Sequence, residues 1–457
     1  MAILTAGACL LTTSCQQALE PSASFDPAAA AFRDAVFTPP AGYTGPVFEL
    51  SHDYPTQKPD CEAPWLKRDV SFTDPNTDWN DWRDYIGDIV EYVWQGQDPN
   101  LPDKTGWQST IGGETRWFHV PWMAYNGEQG REFAHGLTNE LSTAESTFRN
   151  GGRGSGKHDL KGGAGADGDD PLFETWSVGM YNPCGAWSIG RAVPKSGVPQ
   201  MTTDSAGRNF ADGMPFEPGT VVIKILNTTA DAASVPYLKG STSWTAHAHK
   251  QDPKTGDYAK CERTLRQVHL VQMDIAVVDP RSPTRWVYST LVYDGNLPGK
   301  TVRSRMVPLG VQFGSDPQTY PAVPRDKSKL RWQSIHAPVS TPQHYGCEAR
   351  LAGVVDQANS SCVSCHMVAY AAPVGTVGQP GVNIPNPFNL PGDSLCKVAD
   401  AGNAAYFSNY KYPDPYPSGQ FDDSLPLDSS LQLQVAFNEY ATALKPPANP
   451  TCPAAGQ

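Results

Sequence analysis

Cys362-Val363-Ser364-Cys365-His366 is the stretch of this chain in which residue type and spacing together specify a chemistry. Two thiols separated by two residues can each add to a vinyl group of a haem, and the histidine beside the second thiol can then reach the iron from one face. Two other readings use the same residues. A zinc half-site would need a second Cys or His pair at close spacing, and a redox CxxC would want a thioredoxin-like βαβ pattern. Neither companion is found in the sequence, so a single covalent haem c is expected.

Other side chains could join that site. His336 and His344 lie just upstream, and His344 is the better distal-ligand candidate because Gly346 permits a turn and Cys347 could fix the loop. No methionine follows Met367, which is too close to His366 to cross to the other haem face. A thioether ligand would have to come from Met306, Met273 or further away, where sheet packing is the commoner role. His247 and His249 alternate along an expected strand and would share one face. His119 and His135 sit in an aromatic, glycine-rich segment that could line a pocket. Gly151 to Lys157 has phosphate-loop spacing, but His158 replaces the hydroxyl residue and no strand is expected before it, so residues 150–170 read as a loop. Setting aside Cys9, Cys15, Cys362 and Cys365 leaves Cys61, Cys184, Cys261, Cys347, Cys396 and Cys452, enough for three disulfides in any of fifteen connectivities.

The elements that must position these residues are mostly strands. Thr220–Leu226, Gln267–Val278 and Trp286–Tyr293 are β-branched and aromatic, and Asp279-Pro280-Arg281-Ser282-Pro283 is a natural hairpin connection between the last two. A mainly β, antiparallel scaffold with a few helices and long Pro/Gly-rich loops is expected, an α+β class. Trp79, Trp82, Tyr85, Ile86, Ile89, Val90, Val93 and Trp94 recur at helical spacing, with Asp78 to cap and Gly96 to end a helix over 78–95. Leu351, Val354, Val355 and Ala358 suggest a short helix before the pentad, and residues 431–444 a later one. The chain divides into a leader over 1–19, a Trp-rich region over 20–150 whose residues 20–75 wrap the surface, a β-rich haem-binding domain over 171–372, and a Pro/Gly-rich extension over 373–457.

The pentad resembles that of single-haem c-type cytochromes, which implies that Cys362 and Cys365 are the thioether attachments and His366 the proximal iron ligand. In small helical electron carriers the motif lies near the start and a methionine follows, and this chain has neither feature. Phe216-Glu217-Pro218-Gly219-Thr220-Val221-Val222-Ile223-Lys224, a hairpin and then a late CxxCH are similar to the order in the β-sheet group of cytochrome c-prime-beta and its lysine-cross-linked, hydroxylamine-oxidising relatives. That resemblance implies a β fold, an iron often left five-coordinate, and Lys224 at the cross-linking position. As a plain strand residue, Lys224 would snorkel or guard a sheet edge.

Residues 1–15, MAILTAGACLLTTSC, are uncharged and small or apolar, resembling the core of an export signal, and Cys15 loosely matches a lipoprotein cleavage site. Periplasmic or envelope localisation, with an optional N-terminal lipid anchor, suits both the haem and the disulfides. The 457 residues carry 41 Gly and 42 Pro, with 12 Trp, 18 Tyr and 16 Phe to build the core, and a net charge of −12 that argues against nucleic acid as a partner. Three function classes remain: an electron-transfer haem protein with a redox partner, a haem oxidoreductase or sensor with an open iron position for a small nitrogen or oxygen ligand, and a structural envelope protein.

Overall fold

The computed structural model describes residues 25–32, 43, 45–73, 78–100, 106–123, 132–140, 142–150, 152–153, 170–251, 258–317, 330–336, 339–357, 360–372, 405–416 and 424–444. The leader with Cys15, most of the glycine-rich loop including His158, and Cys396 and Cys452 lie outside them. Among the described residues no helix is long and apolar enough to cross a membrane.

An antiparallel sheet of eight strands forms the scaffold. Its strands are β1 (Leu137–Asn139), β2 (Thr175–Tyr181), β3 (Val221–Thr228), β4 (Ser243–Gln251), β5 (Tyr258–Val278), β6 (Trp286–Tyr293), β7 (Met306–Gln312) and β8 (Gln333–Ile335). They run β8-β7-β6-β5-β3-β2-β1, and β4 pairs with the N-terminal half of β5. The expected hairpin joins β5 to β6, with Val278 opposite Trp286. β5 begins at Tyr258, well before the expected Gln267, because β4 supplies a partner for its first half.

Strand alternation divides the sheet into two faces. Val178, Met180, Val221, Ile223, Ile225, Met273, Ile275, Val277, Val287 and Leu291 join one apolar core. The helix α1 (Trp79–Trp94) contributes Trp82, Tyr85, Ile86, Ile89 and Val93 to that core. Asp78 and Asp81 form a capping box at its start, and Gly96 follows its end at a φ of +75°, where a Cβ would strike Ile111. Trp82 stacks on Phe313 at 4.8 Å and meets Phe72 edge-on at 5.2 Å. Each such aromatic, fully buried, contributes on the order of 1.5–3 kcal/mol.

Three expectations change. Residues 20–75 do more than wrap the surface, since Phe48, Leu50, Trp65 and Phe72 are buried in the same core as α1. Leu351, Val354 and Val355 are buried there too but form a turn rather than a helix, in which the Gly353 N–H donates to the Asp356 carboxylate at 2.6 Å and the Asp356 N–H to the Gly353 carbonyl at 3.2 Å. Ala358 lies outside the described residues. Lys224 is no edge residue, because β3 is paired on both sides, with β2 and β5.

Cys61 is bonded to Cys184 in the helix α2 (Pro183–Ala192), with Cα atoms 5.8 Å apart and 123 residues between them. A loop of that length constrains the unfolded chain by about 5 kcal/mol in the chain-entropy treatment. Cys347 is also disulfide-bonded, whereas Cys362 and Cys365 are free thiols.

Candidate functional site

The pentad forms a single helical turn, α3 (Cys362–His366), capped by Ser361, whose Oγ accepts the Ser364 N–H at 3.1 Å. Val363 and Ser364 turn into the protein; Ser364 bonds Ser315 at 2.9 Å, and the Val363 N–H donates to Gln312 at 3.1 Å. Cys362, Cys365 and His366, at helical i, i+3 and i+4 positions, are half-buried and line a cavity of about 500 Å³. That volume lies in the range of cofactor pockets.

The second face of the sheet forms the opposite wall. Tyr181, Ala276, Val278, Trp286 and Tyr288 share an apolar cluster with Val363 and Met367, and with Leu433, Ala436 and Phe437 of the helix α4 (Leu431–Ala443). One register step along the strands, the lining turns polar at Gly179, Lys224 and Asp274, cross-strand neighbours on β2, β3 and β5, with Thr290 of β6 paired to Asp274 behind them. A Cβ at Gly179 would meet the Gln432 amide that reaches over the sheet from α4, so any side chain there would have to displace that amide. The cavity continues past Ser177 to Trp176, Glu132 and His249.

His366 is oriented from the far end of the chain. Its Nδ1 lies 3.0 Å from the carbonyl oxygen of Ser429, and since a carbonyl can only accept, Nδ1 carries the proton and Nε2 is the basic nitrogen. Tyr288 packs against the ring at 4.8 Å. Burial pulls the His366 pKa down to about 4, which keeps the imidazole neutral at pH 7. Asp428 and Ser429 both have left-handed backbones, at φ of 44° and 64°, a strained pair for residues with side chains. The Asp428 carboxylate holds the turn, accepting the Phe216 N–H at 2.8 Å and the Trp286 indole N–H at 3.3 Å and facing Arg285 at 3.5 Å. Ser430 then caps α4 and bonds the Tyr181 hydroxyl at 2.7 Å.

The two thiols are poor redox nucleophiles. Burial pushes Cys365 up to about 12, and burial together with the Asp356 and Asp274 charges pushes Cys362 well above the thiol range. Among the described residues no group of three or more His, Cys, Asp or Glu is arranged to hold a metal ion. The donor set fits a covalent haem instead: two protonated thiols and one neutral, carbonyl-anchored imidazole facing one cavity of suitable size.

Lys224 lines this cavity and pairs with Glu140 at 2.7 Å. Burial pulls its pKa down, but Glu140, Asp274 and Asp356 outweigh that and the net shift is upward. Of the other described histidines, His249 lines the far end of this cavity and the rest do not line it. His344 is buried in the two-residue strand His344–Tyr345, which pairs with Gly152–Arg153, and it does not line the cavity. His336 stacks on Trp79 and bonds the Pro308 carbonyl, while His119 and His135 stack on each other. His249 is paired with Glu132, which also accepts from Arg263 at 3.1 Å. Met273 and Met306 lie in the α1 core, and Met123 lines the cavity.

Sequence reasoning missed Glu140, Asp274, Asp356, Tyr288 and the Asp428–Ser429 turn. One signal was available for Asp274: Gln272 and Asp274 interrupt Val271, Met273 and Ile275 at strand period. No family model, curated protein or solved structure matches this chain.

Proposed function

We propose that this chain is an exported c-type haem protein, with one haem held by Cys362 and Cys365 and ligated by His366, and that it acts as an oxidoreductase on a small nitrogen or oxygen ligand admitted to the cavity. The observation that carries this reading is the convergence of Cys362, Cys365, His366, Lys224 and Asp274 on one cavity, from segments far apart in the sequence. The haem would supply a redox-active iron centre. The chain's own residues supply the rest. The Ser429 carbonyl fixes the His366 tautomer and aims Nε2, as outer-sphere partners of ligating histidines do. Tyr288, Ala276 and Trp286 exclude water on one side, and Lys224, Glu140, Asp274 and Asp356 give the cavity hydrogen-bonding and proton-holding groups that a pure electron carrier does not need.

The β-sheet cytochrome resemblance is supported by two placements: Lys224 faces the same cavity as the pentad, and the strand bearing it is central in an antiparallel sheet. Electron transfer is the second reading, favoured by Met123 at the cavity wall, which could serve as a thioether ligand. An absorption spectrum separates the two. The ferrous protein is expected to be high-spin and to bind carbon monoxide at once. A near-infrared thioether band in the ferric protein, abolished by Met123→Ala, would favour the electron carrier. Colour extracted by acid-acetone, with no c-type pyridine haemochrome left, would remove both readings.

A further inference from the structure

Asp274 and Asp356 come from segments 82 residues apart and meet around one side chain. The amide of Gln272, fully buried, donates from Nε2 to Oδ1 of Asp274 at 2.8 Å and to Oδ1 of Asp356 at 3.1 Å. The Val355 N–H donates to the Gln272 Oε1 at 3.3 Å, which fixes which end of the amide faces the carboxyls. Asp274 also accepts from the Thr290 hydroxyl at 2.7 Å, and Asp356 from the Gly353 N–H.

The local charge does not balance. Among the described residues lining the cavity, Lys224 is the one lysine or arginine, and Glu140, Asp274 and Asp356 surround it. Lys224 is paired with Glu140, so full ionisation would leave two uncompensated carboxylates in an enclosed space, which burial disfavours strongly. The remaining titratable groups facing this corner are Cys362 and Cys365, His366 and Tyr288, none of which offers a cation at neutral pH.

The geometry points to Asp274 and Asp356 as an amide-bridged carboxyl dyad that keeps a proton inside the cavity and exchanges it with a small weak acid H–X, of the hydrogen cyanide class, bound in that cavity. The exchange with ligand rests on the functional reading above; the stored proton does not. The dyad takes up the proton that such a molecule sheds on binding as its anion, with no net charge brought into the cavity. Burial, with the Asp356 charge adding to it, holds Asp274 up at about 8, and burial raises Asp356 as well, in keeping with a shared proton rather than two carboxylates.

Infrared spectroscopy of the full-length protein tests the stored proton. At pH 7 a protonated-carboxyl C=O band that shifts in D2O is expected, titrating away above neutrality and lost in Asp274→Asn or Asp356→Asn. No such band in the wild type, or a band unchanged in both variants, overturns the dyad whether or not haem is bound. Calorimetric titration of the ferric protein with cyanide, in two buffers of different ionisation enthalpy, tests the exchange. The wild type is expected to release almost no protons and the double Asn variant about one per cyanide. One proton released by both overturns the exchange. A chain without haem would overturn the functional reading instead, and the infrared result then still decides the dyad.

Discussion

The two faces of the β2-β3-β5-β6 sheet are built from alternate residues of the same strands and differ in what they bury. On one face Val221, Met273 and Val277 belong to the same apolar core as the aromatic stripe of α1. On the other, Lys224, Asp274 and Ala276, at the intervening positions of the same strands, line a cavity roofed by α3 and α4. The strands themselves do not distinguish the two uses; the covering elements do. α1 brings large apolar side chains that fill their space, whereas α3 is a single turn that directs three reactive groups at the sheet, and Gly179 removes a side chain from the polar row. If the cavity carries the proposed chemistry, stability and chemistry lie on opposite faces and should be separable by mutation.

The largest expected effect falls on the cavity face. Replacing Cys362 and Cys365 by Ala should abolish covalent haem entirely, as read by pyridine haemochrome on acid-acetone-washed protein. The far-ultraviolet circular dichroism, dominated by elements anchored on the other face, should stay close to that of the wild type. On the apolar face, Trp82→Ala should cost about 3–5 kcal/mol in denaturant unfolding and leave the haem stoichiometry at one, because Trp82 is fully buried away from the cavity. Loss of haem in that variant would mean the faces are not independent.

A smaller effect is expected from pH. The Asp274 carboxyl is held up at about 8, against about 3.9 for an ordinary aspartate, so the folded chain binds more protons than the unfolded one between those values. Its contribution to stability is complete below pH 4 and is lost as the pH rises towards 8. Asp274→Asn should flatten that slope, and urea midpoints at pH 5 and pH 8 should differ less in the variant than in the wild type. The smallest effect should come from His344→Ala. With His344 outside the cavity lining, the ferric spectrum is expected to be unchanged; conversion to high spin would place His344 on the iron.

Much of the fold was legible because it rests on local periodicity. The stripe from Trp79 to Trp94, the strand Trp286–Tyr293 and the helix beginning at Leu431 announce themselves in their own residues. The pentad was legible because its chemistry is local too. The rest of the cavity was not, because it depends on register: Lys224 becomes a site residue only when β3 is set against β2 and β5 so that Gly179 and Asp274 flank it. The turn at Leu351–Asp356 misled because its apolar residues have helical spacing, although the chain there makes a single turn closed between Gly353 and Asp356. The partner of His249 was not legible either, because Glu132 reaches it from 117 residues away.

The Ser429 carbonyl that anchors His366 lies 63 residues after it and so is synthesised later. When the pentad first emerges the roof does not yet exist, so its thiols and imidazole face solvent. If the cavity holds a haem, the molecule has a loading order: cofactor first, then closure by residues 424–444, after which Asp428, Arg285 and the Tyr181–Ser430 bond latch the roof. A chain ending before residue 424 should then couple haem at least as fast as the full chain, yet lose its proximal histidine at milder acidity in a spectroscopic pH titration. The helix Leu431–Ala443 would on this view act as a stopper, closing the vessel once it has been filled.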